Sequence, residues 1–142
     1  MRALGIDLGE RRIGVAVSSG AVAVPLEVVL RSGDRSAEHR RLAALAAESE
    51  VDVVVVGLPR SLDGSEGPAA RRVRAEIVPL SRCLTVPVET YDERLTTVTA
   101  ERSLKEQGLD ARQRRKVVDK VAAAVLLQGW LDLRAGTEDG AT

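Results

Sequence analysis

Three acidic positions stand where the sequence offers no simple reason for an acid. Asp7 interrupts the apolar run "ALGIDLG", with Gly5 and Gly9 two residues to either side. Asp92 and Glu93 close the short segment "VPVETYDER" and precede Arg94. Asp119 lies in "RQRRKVVDKVAAAVLLQGW", with Ala122, Ala123 and Leu126 three, four and seven residues further on. A buried carboxylate is costly unless a cation or hydrogen-bond donors meet it. Singly, each has a plain explanation: turn amides for Asp7, a solvated loop for Asp92 and Glu93, and helical ion pairs to Arg115 or Lys116 for Asp119. Together, three acids able to converge on one side of a sheet form an oxygen donor set suited to Mg²⁺ or Mn²⁺. Two such ions about 4 Å apart stabilise the attacking and leaving oxygens of an in-line phosphodiester displacement, with no nucleophilic side chain required.

The rest of the inventory fits that absence. His39 is the only histidine and Cys83 the only cysteine, so a zinc site is not expected. His39, in "SAEHRRLAAL", is expected on a solvated helix face with a structural role. Cys83 allows no internal disulfide, which suits a reducing cytoplasm. Lysine and arginine total 21 and acids also 21, so any nucleic-acid partner must be held by local patches. Two patches lie near the acids: Arg11 and Arg12 after Asp7, and Arg112, Arg114, Arg115 and Lys116 before Asp119. Such residues hold a phosphate backbone without reading its sequence. Arg71, Arg72 and Arg74 are read instead as the wet face of a helix. With no Phe, one Trp and one Tyr, stacking of bases on aromatic side chains is not expected. The N-terminal apolar run is too short, and too interrupted by Asp7, for a signal peptide or a membrane span.

Those acids need elements to carry them. Strands are expected at Ala3–Leu8, Ile13–Val17, Glu27–Leu30, Val53–Gly57 and Val86–Thr90. The continuous run "VDVVVVG" has the pattern of a strand covered on both faces. Helices are expected at Ala37–Glu48, with Leu42, Leu45 and Ala46 inward, and at Pro68–Arg82, bent near its end by Pro79. Two more follow, Thr97–Gln107 and a long one capped by Asp110 and ended by Gly136. The order β-β-β-α-β-α-β-α-α describes a three-layer α/β domain over residues 1–134, with a mixed sheet of about five strands and a frayed tail at 135–142. An antiparallel meander leads that sheet, and helices cover both of its faces. Alternation divides the first strand into a bulky face (Leu4, Ile6, Leu8) and a bare one (Gly5, Asp7, Gly9). The Ala122–Ala124 run lets the final helix lie close against the bare face.

"GIDLGERRIGVAVS", "VVVVGLPRSLDGSEG", "YDERLTTVTAERSL" and "KVVDKVAAAVLLQGWL", in this order from about Arg2 to Leu133, resemble the YqgF family. Its members are described as pre-16S rRNA nucleases or Holliday-junction-resolvase-like proteins with a ribonuclease H-like fold. The resemblance implies that Asp7, Glu93 and Asp119 are the catalytic, metal-holding acids. Asp92 is a substitute or neighbouring partner that spacing alone does not separate from Glu93. It further implies Mg²⁺ or Mn²⁺, two ions with substrate bound, and phosphate contacts from Arg94, Thr96 and Thr97, beside those from Arg11, Arg12, Arg115 and Lys116. The loop Gly57–Gly67 becomes a rigid rim of the cleft, with Asp63 and Gly64 equally well explained as a plain turn. The implied activity is a cytoplasmic nuclease processing the 5′ end of pre-16S rRNA, working as a monomer or weak homodimer. A Holliday junction resolvase and a non-catalytic ribosome-assembly factor are the alternatives. An actin-like ATPase, which also begins with D-x-G and a turn, needs two such domains where this length gives one.

Overall fold

The computed structural model describes residues 1–61, 63–93 and 111–141, the last stretch with side chains for 121–136. Five strands form one sheet in the order β3-β2-β1-β4-β5. They are β1 (Ala3–Leu8), β2 (Arg12–Ser19), β3 (Val22–Leu30), β4 (Val53–Leu58) and β5 (Val88–Asp92). The first three run antiparallel as a meander, and β4 and β5 are parallel to β1. Helices α1 (Arg35–Glu48) and α2 (Pro68–Cys83) cover one face. Helix α3 (Ala111–Ala141) covers the other.

Alternation decides which residue meets which layer. Leu4, Ile6, Leu8, Ile13, Val15, Val54, Val56 and Leu58 pack against Leu42, Leu45, Val73 and Leu80 of α1 and α2. Ala3, Ala16, Val53 and Val55 pack against Ala123, Leu126, Leu127 and Trp130 of α3. The bare face of β1 is therefore the α3 face, as its glycines require. A Cβ on Gly5 would lie 2.8 Å from Leu127 Cβ and 3.1 Å from the Ala123 carbonyl oxygen, so only glycine admits the helix there. Gln128 anchors α3 over the β2–β3 hairpin, accepting from the Ala23 amide at 2.8 Å and donating to the Ala21 carbonyl at 2.9 Å.

Several boundaries differ from the sequence expectation, each for a physical reason. β3 begins at Val22 rather than Glu27, passing through Pro25. That proline is tolerated because β3 is an edge strand, and the register shifts opposite Val15 and Ala16. β5 starts two residues later than expected and carries the strand through Tyr91 and Asp92. α1 starts at Arg35 because Asp34 caps it, its Oδ1 accepting from the Ala37 amide at 3.0 Å. α3 continues through Gly136 to Ala141, so Gly136 does not end the helix. The expected helix Thr97–Gln107 and the Asp110 cap lie outside the described residues. No helix among the described residues is long and apolar enough to cross a membrane.

His39 corrects a further expectation. It is 2 % exposed rather than solvated, because α1 turns it toward α2, where its Nε2 lies 2.8 Å from Glu76 Oε2. Cys83 is free and exposed.

Candidate functional site

Parallel pairing of β1, β4 and β5 brings their carboxyl ends to one edge of the sheet. Ligands of open α/β sheets bind outside such an edge, where the chain order reverses; here that reversal falls at β1, between β2 and β4. Asp7 is the penultimate residue of β1, opposite Gly14 of β2. Glu93 follows β5, its amide donating to the Leu58 carbonyl at 3.3 Å. Both line one cleft of about 770 Å³, whose walls are the β1–β2 turn, Pro59, α1 and α2.

Register separates the two adjacent acids of "YDER". Asp92 stands opposite Leu58, whose side chain belongs to the α1–α2 layer, whereas Tyr91 stands opposite Gly57 and packs in the α3 layer. Glu93, one step further, returns to the α3 side with Asp7. Its Oε2 occupies the space where a side chain at Gly57 would begin, and Leu126 Cδ2 would lie 2.9 Å from that same Cβ. The glycine at 57 is thus the room in which the Glu93 carboxylate lies.

The electrostatics of this corner are those of crowded like charges. Burial pushes Glu93 up from the ordinary carboxylate range to about 7, and the negative charges of Asp7 and then Asp92 add to the shift. Two acids at the ends of the strands that flank β4, one desolvated and repelled by the other, fit a hard divalent cation in donor type and in charge. Among the described residues no group of three His, Cys, Asp or Glu side chains forms a metal site. Asp119 lies on α3, four residues before Ala123; its side chain, like those of Arg115 and Lys116, is outside the described residues. Arg94 and Thr96 are also outside them.

The basic residues after Asp7 lie in the turn at the mouth of the cleft. Arg11 is exposed and Arg12 half-buried at the start of β2. Arg72, expected on a wet helix face, is exposed but reaches back to this turn, pairing with Glu10 at 2.9 Å. The Gly57–Gly67 loop is tied down at its far end. The Gly64 amide donates to the Ser61 carbonyl at 2.8 Å with φ at +88°, and Asp63 Oδ1 accepts from the Ser65 amide at 2.9 Å. Pro59 of this loop lines the cleft, while Asp63 and Gly64 form a plain turn.

Sequence reasoning missed a second set of charged residues in the same cleft wall. Arg31 at the β3 end donates Nη1 and Nη2 to Glu76 Oε2 and Oε1 at 2.7 and 2.8 Å, and Nη1 to Glu38 Oε1 at 2.9 Å. Glu38 Oε2 accepts from the Ser32 amide at 2.7 Å, and His39 completes the Glu76 carboxylate. Burial alone would raise both glutamates, but the Arg31 hydrogen bonds and charge hold Glu38 and Glu76 below the usual range, with His39 and Arg35 helping at Glu76. The members lie at positions 31, 38, 39 and 76, and no spacing rule joins them. The only available signal was two glutamates on helices that were otherwise to be buried.

A three-layer domain with this mixed five-stranded sheet and an acidic carboxyl edge is a ribonuclease H-like α/β domain. A family model described as "RuvX: Holliday junction resolvase" matches residues 1–133. A relative from Anaeromyxobacter sp. (strain Fw109-5), named "Putative pre-16S rRNA nuclease", is 52% identical over 136 residues, covering 94% of this chain and 98% of that one. A relative of the same name from Mycobacterium tuberculosis (strain ATCC 25618 / H37Rv) is 49% identical over 147 residues, covering 98% and 85%. Among solved structures, Thermus thermophilus RuvC in complex with a Holliday junction substrate superposes with a TM-score of 0.58 at 20% identity, covering 96% of this chain and 97% of that one. The chain belongs to the RuvX (YqgF) family.

Proposed function

We propose that this chain is a divalent-metal-dependent phosphodiester hydrolase acting on RNA, in processing of the 5′ end of pre-16S rRNA in the cytoplasm. The observation that carries this reading is the pair Asp7 and Glu93, lining one cleft with Glu93 raised to about 7 by burial and by its acidic neighbours. Asp7, Glu93 and Asp119 would hold Mg²⁺ or Mn²⁺, two ions when substrate is present. The bound cation would supply charge stabilisation at the attacking and leaving oxygens. Support for Asp119 comes from the course of α3. The helix passes from the hairpin at Gln128 to Gly5 at Ala123, so its earlier turns lead toward the strand end that carries Asp7.

The chain's own residues then have distinct tasks. Asp7, fixed in a paired strand, sets the position of one ligand oxygen. Glu93 gives up its proton near neutral pH when a cation takes its place. Arg11 and Arg12 at the turn, with Arg94, Thr96, Arg115 and Lys116, hold phosphates on either side of the scissile one. They fix the register of the strand and leave its sequence unread. The RNA assignment rests on the names of relatives at 49% and 52% identity. A second reading, a resolvase of branched DNA, is favoured by the description of the matching family model.

Cleavage of a pre-16S 5′ fragment, an unstructured RNA and a four-way DNA junction, each with Mg²⁺, Mn²⁺ or EDTA, tests both. The proposal expects metal-dependent cleavage of the rRNA fragment, lost in Asp7→Asn. Faster cleavage of the junction would turn the assignment to the resolvase. Equal products from wild type and Asp7→Asn, or none with any metal, would leave a non-catalytic binding protein.

A further inference from the structure

We propose that Arg31 is a positioning residue for Asp7, and that the buried cluster Arg31–Glu38–Glu76–His39 exists to hold the turn on which the Asp7 carboxylate depends. The inference rests on the metal-dependent reading above. Arg31 grips the β1–β2 turn at two points. Its Nε donates to the Gly9 carbonyl at 3.1 Å, and its amide donates to the Arg11 carbonyl at 2.9 Å. Gly9 in turn donates its amide to the Asp7 carbonyl at 3.1 Å. A tight chain of contacts therefore runs from the guanidinium to the backbone of Asp7.

The turn has no packing of its own that would do this. Glu10 and Arg11 are exposed, and Gly9 is folded so tightly that a Cβ there would lie 2.5 Å from the Arg12 carbonyl oxygen. Ladder pairing holds Asp7 on one side only, since β4 is paired with β1 no further than Ile6. Beyond Ile6 the strand end is paired with β2 alone, and the turn that follows is held by Arg31 and, through Glu10, by Arg72.

The cluster is built to keep that guanidinium in one place. Glu76 binds it through two oxygens in the fork arrangement that fixes orientation as well as distance, and Glu38 takes a third contact. His39 and the Ser32 amide hold the two glutamates from behind. Glu38 is 5 %, Glu76 5 % and His39 2 % exposed, and Arg31, Glu38 and Glu76 all line the cleft that contains Asp7 and Glu93. Stability alone does not call for such a cluster, because apolar residues of similar volume commonly serve as well as a buried ion pair. Partners behind metal ligands orient them, and their loss typically lowers metal affinity by about 10- to 100-fold.

The test compares Arg31→Gln and Arg31→Lys with Val73→Ala, a cavity in the same layer that leaves the cluster whole. Backbone ¹⁵N order parameters of the metal-free full chain are measured for residues 8–12, and Mn²⁺ affinity is measured by calorimetry. In Arg31→Gln the order parameters of Gly9 to Arg11 are expected to fall from near 0.85 to about 0.6 or lower, with Mn²⁺ affinity down about tenfold. Arg31→Lys should restore part of each, and Val73→Ala should change neither. Glu38→Gln, which keeps Glu76 under Arg31, serves if Arg31→Gln does not fold, with a smaller shift in the same direction. Order parameters in the Arg31 variants equal to those of Val73→Ala would overturn the proposal. If the wild type binds no Mn²⁺, the metal reading fails separately, and the order parameters still decide whether Arg31 holds the turn.

Discussion

Two groups of charged side chains share one cleft and obey opposite rules. At the strand ends, Asp7 and Glu93 face each other as like charges, and Glu93 is driven up to about 7. Against α1 and α2, Glu38 and Glu76 are closed off from solvent yet stay below the usual range, because Arg31 sits between them. At Glu93 burial and like charges act in the same direction, whereas at Glu38 and Glu76 the Arg31 guanidinium outweighs burial. One group carries its counter-charge within the chain. The other sets like charges side by side at the strand ends, the corner in which the proposed function places a divalent cation.

The comparison predicts different failures for the two groups. The largest concerns the strand-end acids: Asp7→Asn, Glu93→Gln and Asp119→Asn should each lower cleavage by about a thousandfold or more, an effect of the size seen when a charge-stabilising group is removed from an active site. Single-turnover assays with Mn²⁺ measure it, and folding should be retained because a like charge has been removed. The next largest belongs to the paired group. Glu76→Ala leaves Arg31 and His39 without their main acceptor and should destabilise the fold by about 3 kcal/mol or more, read from urea unfolding. Replacing Arg31, Glu38 and Glu76 together by Met, Leu and Leu should restore most of that stability. Cleavage should stay low in the triple variant, because the grip on the Gly9 turn is gone.

A third effect separates the groups by pH. Glu93 has a raised folded value, so it contributes stability below its unfolded value of 4.5 that is lost as pH rises to about 7. The loss is on the order of 3 kcal/mol without metal. Glu38 and Glu76 have lowered values, so their contribution is present above 4.5 and is lost as pH falls further. Thermal unfolding from pH 3 to 8 in EDTA should show both limbs. Glu93→Gln should flatten only the alkaline limb, and Glu76→Gln only the acid one. A Glu93→Gln variant whose alkaline limb matches wild type would break the contrast. The smallest effect is steric. Gly57→Ala intrudes on Glu93 and Leu126 and should cost about 1–3 kcal/mol, together with weaker Mn²⁺ binding. The shorter acid in Gly57→Ala/Glu93→Asp should recover part of that binding.

The sequence made the acidic corner legible and hid the ion cluster. The observed β1 bounds, the division of β1 into bulky and bare faces, and the packing of α3 on Gly5 all follow from alternation and residue size. Local patterns carry that information, because strand neighbours two apart share a face. Asp92 and Glu93 were not separable by spacing, since their roles depend on which residue of β4 each one meets. β3 extends back past the expected Glu27 to Val22 because Pro25, which would break a central strand, is tolerated in an edge one. The Arg31 cluster joins positions 45 and 37 residues apart, across three elements, and nothing local marks those residues as partners. His39 is illegible for the same reason: Glu76, the residue that justifies burying it, is on another helix.

The most direct measurement is anomalous diffraction at the manganese edge from crystals soaked in Mn²⁺ with a non-cleavable RNA. A peak between the Asp7 and Glu93 carboxylates, lost in Asp7→Asn crystals, is the predicted result. Density for the RNA in the cleft with Mn²⁺ bound elsewhere, or with the two carboxylates satisfied by protein donors alone, would contradict the account.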